Sequence, residues 1–280
     1  MEPKMSAAKS SLPVLGAALN VDGLRLHKDW IVDMHRDLEL QDFIWADRLN
    51  GDWKIVADDI KKMLKKHKGR VGIHGPFWGL TLDNMDPEIR AIVTKRMLQG
   101  MDVCDYLGAT HMVIHSPYTT WDHYNLDYNP GSRLEIIERV HETLEPVVRR
   151  AEEIGCELVI ENIEDVDPHA RVDLAKSFDS DAVKVSLDTG HANYAFGSTN
   201  GPPVDYYVRA AGDMLTHVHL HDTDGHADRH WAPGDGNIPW MEVFRALSQL
   251  TSHPRLILEL RDKTRLRAGA DYLIELGVAV

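Results

Sequence analysis

The chain has 280 residues, 43% of them hydrophobic and 27% charged, a globular balance that excludes wholesale disorder and fibrous or collagen-like structure. Forty-four acids against 31 bases leave a formal charge of −13, so a polyanion such as DNA meets a repulsive average field. No run of about 18 apolar residues occurs, which excludes a membrane-spanning helix. The two cysteines, Cys104 and Cys156, stand outside any paired motif, arguing against a disulfide framework or thiolate metal site and for a reducing cytoplasm.

In chain order, residues 1–10 read as a disordered leader and 11–280 as a single domain. The apolar run at 12–19 is too short, and lacks a cleavage site, for a signal peptide. Short β-branched apolar runs predict strands at 14–20, 38–44, 71–76, 111–117, 157–163, 183–191, 215–222 and 256–260. Between them lie segments of helical period. Ile89, Val93, Met97, Gly100, Cys104 and Leu107 share one helix face, opened by Asp86 as N-cap with Pro87 behind it and closed by Gly108. Ile137, Val140, Leu144, Val148 and Ala151 mark a second helix ending at Gly155, with a kink expected at Pro146. Further helices are expected at 52–67, 239–250 and 265–276. Eight strands alternating with helices predict a parallel sheet, and the length suits a (β/α)8 TIM barrel of about 250 residues. A doubly wound open sheet is the competing fold, but residues 20–23 after the first strand are not a glycine-rich phosphate loop.

In a barrel of this kind the C-terminal strand ends line the active site. Six consecutive strands, the third to the eighth, end in HGP, IHSP, IEN, LDTGH, HVHLHD and LEL. The two-residue period places Leu158 and Ile160 against the helices and Glu161 on the other face; Ile73 likewise opposes His74, and Leu258 opposes Glu259. On the seventh strand Val218 and Leu220 oppose His217, His219 and His221, so the imidazoles and carboxylates are expected to point into the barrel mouth. Strands 1 and 2 offer no ligand in this reading, and Asp42 is only a weak candidate. A single strand histidine is commonplace; six strands in register are not. Converging carboxylates repel one another unless a cation sits among them, and mixed carboxylate and imidazole donors suit Mn²⁺, Zn²⁺, Co²⁺ or Fe²⁺. The long segment 222–238 adds Asp228 and His230 from above, while His123 and His226 are left as surface residues.

The series HGP, IHSP, IEN, LDTGH, HVHLHD, DRHWAPGDGNIPW and LEL resembles the xylose-isomerase-like TIM barrel superfamily, which holds sugar-phosphate isomerases and epimerases and the endonuclease-IV-type AP endonucleases. The resemblance implies that Glu161, Asp188, His219 and Glu259 form a single-metal quartet. It implies that His74, His115, His191, Asp228 and His230 are the additional ligands of a trinuclear site, giving one metal expected and up to three. For an epimerase it implies Glu161 and Glu259 as acid and base, with His191 on a substrate oxygen. Substrate contacts are expected from Trp78, Trp121, Trp231, Asn162 and Arg229, since tryptophan faces pack against sugar C–H faces. The expected mouth segments 75–86, 116–132, 162–170 and 222–238 hold eleven acids against one base, Arg229, although Arg261, Lys263 and Arg265 follow the last strand. A protein gripping several phosphates would show several bases there, so nucleic acid is disfavoured. The leading expectation is a cytoplasmic, divalent-metal-dependent isomerase or epimerase acting on a small sugar or sugar derivative. A trinuclear-zinc phosphodiesterase and a metal-dependent lyase on a keto-sugar or cyclic polyol are the alternatives, with a non-catalytic sugar-binding barrel behind them. The sequence leaves a homo-oligomer open.

Overall fold

A computed structural model describes residues 12–280, so the expected leader lies outside the described residues. The eight strands are β1 (Leu15–Leu19), β2 (Leu38–Leu40), β3 (Val71–His74), β4 (His111–His115), β5 (Glu157–Glu161), β6 (Val183–Asp188), β7 (Leu215–Leu220) and β8 (Arg255–Leu258). Each pairs in parallel with the next, and β1 pairs with β8 to close a barrel. Closure excludes the open doubly wound sheet and leaves no edge strand to protect. Most strands stop a few residues short of their expected ends because the chain turns at once into loops or helices. On β6 the turn is explicit: Asp188 caps the helix Thr189–Ser198 by accepting the His191 amide proton, so 189–191 are helical rather than extended.

The helix signals hold. Asp86 accepts the Glu88 amide proton at the start of the helix Pro87–Leu107, and Gly108 closes it at φ 67°, a left-handed position that glycine occupies without strain. The helix Ser132–Ile154 continues through Pro146 to Gly155. No helix among the described residues is long and apolar enough to cross a membrane. Both cysteines are free and buried.

Strand alternation divides the buried residues into two sets. Outward-facing Leu158, Ile160, Val218, Leu220, Leu256 and Leu258 join the apolar core under the helices. The inward set is layered and mixes polar residues with Ala18, Val113, Val159 and Ile257. Register places Glu39 beside Gly72, His115 beside Glu161, and, past an irregularity at Val185/Ser186, Ser186 beside His217 and Asp188 beside His219. An irregularity of this kind re-aims side chains next to a site.

Candidate metal centre

Three groups of potential ligands assemble at the C-terminal rim, and within each group the donor atoms lie within 4.8 Å of one another. The central group is Glu161, Asp188, His219 and Glu259, from β5, β6, β7 and the residue after β8. A second is His74, His115 and Glu161, and a third is His191, His221, Asp228 and His230. Every residue of the expected quartet and all five expected additional ligands are therefore brought together. The sequence reading missed His221 as a member. His123, His226 and Asp42 belong to none of the groups.

The spacing suits a cation. Donors 2.0–2.1 Å from one tetrahedral ion stand about 3.3 Å apart. His219 Nδ1 lies 2.8 Å from Glu161 Oε1, 3.4 Å from Glu259 Oε2 and 3.8 Å from Asp188 Oδ2. Glu161 Oε2 faces His74 Nε2 at 3.6 Å and His115 Nε2 at 3.7 Å. That oxygen is buried and has no hydrogen-bond partner, an arrangement a buried acceptor rarely tolerates without an ion or water. Asp228 Oδ1 faces His230 Nε2 at 3.0 Å and His191 Nε2 at 3.5 Å.

Ring orientation follows the same logic. The Nδ1–H groups of His74, His191 and His230 donate to the backbone carbonyls of Gly75, Asn162 and Glu259 at 3.0, 2.9 and 3.0 Å. Each such bond fixes the proton on Nδ1 and leaves Nε2 bare toward a carboxylate, as in metal-ligating histidines. Burial disfavours charged imidazoles here, yet the carboxylates outweigh it at His74, His191 and His219, and push His230 up to about 9. Burial prevails at His115, which it pushes down to about 3. Carboxylates that draw protons onto neighbouring imidazoles would have the same charge compensated by a divalent ion, with release of those protons.

Two supports were not foreseen. Gln41 Nε2 donates to Glu259 Oε1 at 2.5 Å, and Lys263 Nζ donates to Gln41 Oε1 at 2.9 Å, so β8's carboxylate is held from the β2 side. Asp222, buried after β7, accepts protons from the amides of Thr223, Gly234 and Ile238 and from Trp240 Nε1. Together with the backbone pair Asp222–Trp231 it turns the long irregular segment into a fixed bracket carrying Asp228 and His230. A deeper inward layer was also misread. Glu39 on β2, His111 and His217 are fully buried and form a further group of potential ligands below the mouth, so His217 does not reach the rim where alternation alone placed it, and β2 does carry an inward acid.

The expected substrate contacts divide. Asn162 spends its amide on the Asp188 backbone, accepting at 2.8 Å and donating at 3.0 Å, so it positions β6. Arg229 is paired with Asp224 at 2.8 Å and lies over the Trp231 ring. Trp78, Trp121 and Trp231 are exposed, and Trp78 stacks on Trp45 at 5.3 Å, an aromatic the sequence reading did not select.

The model of the xylose isomerase-like TIM barrel family matches residues 34–276. An uncharacterized protein of Methanocaldococcus jannaschii is 24% identical over 89% of this chain and 86% of its own length. A D-psicose 3-epimerase of Ruminiclostridium cellulolyticum is 29% identical over 66% of this chain, a match spanning 61% of that enzyme. Among solved structures, a Thermus thermophilus protein soaked with ZnCl₂ superposes with a TM-score of 0.73 at 25% identity, covering 94% of this chain and 97% of that one. With the family's pattern running from before β2 to the end of the last helix, the chain belongs to the xylose isomerase-like TIM barrel family.

Proposed function

We propose that the protein is a divalent-metal-dependent isomerase or epimerase of a small sugar or sugar derivative. One observation carries the reading: Glu161, Asp188, His219 and Glu259 converge at the open end of a closed barrel, and relatives with this family's sequence include sugar 3-epimerases. These four residues would hold the ion, and Mn²⁺, Zn²⁺, Co²⁺ or Fe²⁺ each suit the donor set. The bound ion would supply Lewis acidity to the substrate oxygens, stabilising the enediolate charge by several kcal/mol.

The protein's own groups would carry the protons. Glu161 and Glu259 reach the centre from different strands, so one carboxylate removes the proton next to the carbonyl and the other returns one to the opposite face. Burial would favour the protonated form of Glu161, but His219 and His74 hold it ionised and able to accept a proton. Gln41 fixes the Glu259 carboxylate. His191 stands at the rim of the centre, suited to a hydrogen bond with a substrate oxygen. Trp78, Trp121 and Trp231 are exposed and would offer faces to a sugar ring.

The test is turnover in deuterated water against a panel of keto- and aldo-sugars. Deuterium should enter one substrate carbon, and Glu161→Gln and Glu259→Gln should each abolish its entry. A panel with no exchange in metal-loaded protein would refute the proposal, and a dehydrated product would assign a lyase instead. A second reading, a trinuclear phosphodiesterase, is favoured by the three ligand groups. Against it, three of the arginines near the mouth are engaged: Arg229 with Asp224, Arg133 with Asp127 and Arg265 with Asp235. Cleavage of an abasic oligonucleotide, abolished by chelator, would decide for that reading.

A further inference from the structure

His219 is turned the opposite way to the histidines around it. His74, His191 and His230 tie Nδ1 to a carbonyl and offer Nε2 to the centre. His219 offers Nδ1 to Glu161 at 2.8 Å, while its Nε2 points down the barrel to Glu39, 3.0 Å from Oε1 and 3.2 Å from Oε2. We propose that Glu39 is a positioning residue for the metal centre: it accepts the Nε2–H of His219 and so leaves Nδ1 bare and aimed at the ion. This rests on the metal-dependent reading above.

Glu39 is built for one task. It is fully buried, and its Oε2 lies 3.0 Å from His217 Nε2 and 3.5 Å from His111 Nε2. His217 is held from behind by Ser186 Oγ at 2.8 Å from Nδ1. The His111 ring lies where a Cβ on Gly72 would be, 1.9 Å from the ideal position, so only glycine on β3 admits it. A carboxylate seated 3.0 and 3.2 Å from Nε2 polarises the His219 ring and fixes its rotation, as carboxylate–histidine–metal triads do.

Glu39, His111 and His217 also have the composition of a cation site of their own. Arg255 argues against that occupant. It is buried beneath the layer on β8, in register with His217, and its positive charge acts on both His111 and His217. A second cation would meet that charge, whereas neutral imidazoles packed beside Glu39 do not. The layer therefore serves the centre above it.

The experiment measures the affinity of chelator-stripped full-length protein for Zn²⁺ and Co²⁺, by competition with a chromogenic chelator, in wild type, Glu39→Gln and Glu39→Asp. Wild type should bind, Glu39→Gln should weaken the tightest site by about 10–100-fold and shift its Co²⁺ absorption, and Glu39→Asp should recover part of the loss. Glutamine keeps the size of glutamate, so a space-filling role predicts unchanged affinity; that result overturns the proposal while leaving the metal reading intact. Wild type without affinity for either ion overturns the metal reading itself, and the proposal with it. A whole equivalent of metal lost in Glu39→Gln and in His111→Gln, with the tightest site unchanged, would assign a deep ion and overturn the proposal. Nitrogen-15 correlation spectra of Zn²⁺-loaded wild type need no variant: His219 should carry its proton on Nε2 with Nδ1 bound, and a proton-free Nε2 refutes the positioning.

Discussion

Replacing Gly72 by alanine probes the deep layer without touching a charged group. The new methyl would lie 1.9 Å from His111 Cε1 and 2.1 and 2.2 Å from the two ring nitrogens, whereas carbon contacts settle near 3.5–4.0 Å. The ring must therefore retreat by roughly 1.5 Å to reach ordinary contact. It has little room to do so, being fully buried with the His217 ring 4.9 Å away, centroid to centroid. Overpacking of this kind costs about 1–3 kcal/mol, and the depth of the overlap argues for the upper end. At about 2–4 °C per kcal/mol for a domain near this size, the melting temperature should fall by about 6–12 °C. The assay is thermal and urea unfolding of metal-free protein in a double-mutant cycle with His111→Ala. Removing the ring should remove most of the cost of the methyl, leaving a coupling energy of about 2–3 kcal/mol. Equal cost of Gly72→Ala in both backgrounds would refute the account of how His111 and Glu39 are seated.

Three further outcomes follow from the rim. His230 titrates near 9 in the folded protein because Asp228, Glu259 and Asp188 outweigh its burial, against 6.5 for the free group. A raised folded value stabilises fully below about pH 6.5 and is lost as pH climbs through 9, so metal-free protein should lose up to about 3 kcal/mol across that window. His230→Gln should flatten this stability profile, and an unchanged slope would contradict the assignment. Gln41→Ala frees the Glu259 carboxylate and should slow deuterium entry into substrate by about 10–100-fold with an unaltered circular dichroism spectrum; wild-type exchange rates would show that Gln41 does not orient it. Asp222→Ala strands four donors that now converge on one buried carboxylate. With about 1–3 kcal/mol for each unsatisfied group, the segment 223–239 should open, seen as fast hydrogen exchange at the Gly234 and Ile238 amides. Continued protection of those amides would contradict the bracket.

Much of this was legible in the sequence because the signals are local. Asp86 and Pro87 open a helix, Gly108 and Gly155 close two, and alternation in 157–161 puts Glu161 opposite Leu158 and Ile160. Repeating that alternation over six strands suffices to predict a convergent centre. What alternation lacks is height. It assigns His217 and His219 the same face, and only the pairing of Ser186 with His217 and Asp188 with His219 puts one in the deep layer and the other at the rim. Glu39 did leave a trace: Leu38, Glu39, Leu40 and Gln41 alternate, with Leu38 and Leu40 in the apolar core and the two polar residues facing in. The strand is three residues long, and its partners His217 and His219 lie about 180 residues further along the chain, so no neighbouring motif reinforces the pattern. His221, Gln41 and Lys263 were hidden for a similar reason. The roles of Gln41 and Lys263 exist only through contacts made after closure, when β1, β2 and β8 become neighbours, and that of His221 only through its approach to Asp188, Asp228 and His230.

Metal content bears most directly on the whole account. Protein purified without chelator, or stripped and reloaded with Mn²⁺, Zn²⁺ or Co²⁺, should retain one tightly held equivalent per chain by elemental analysis after desalting, and Asp188→Asn should lose it. A wild-type chain that retains none of these ions, or an Asp188→Asn variant that retains as much as wild type, would contradict the claim that the rim is a metal centre.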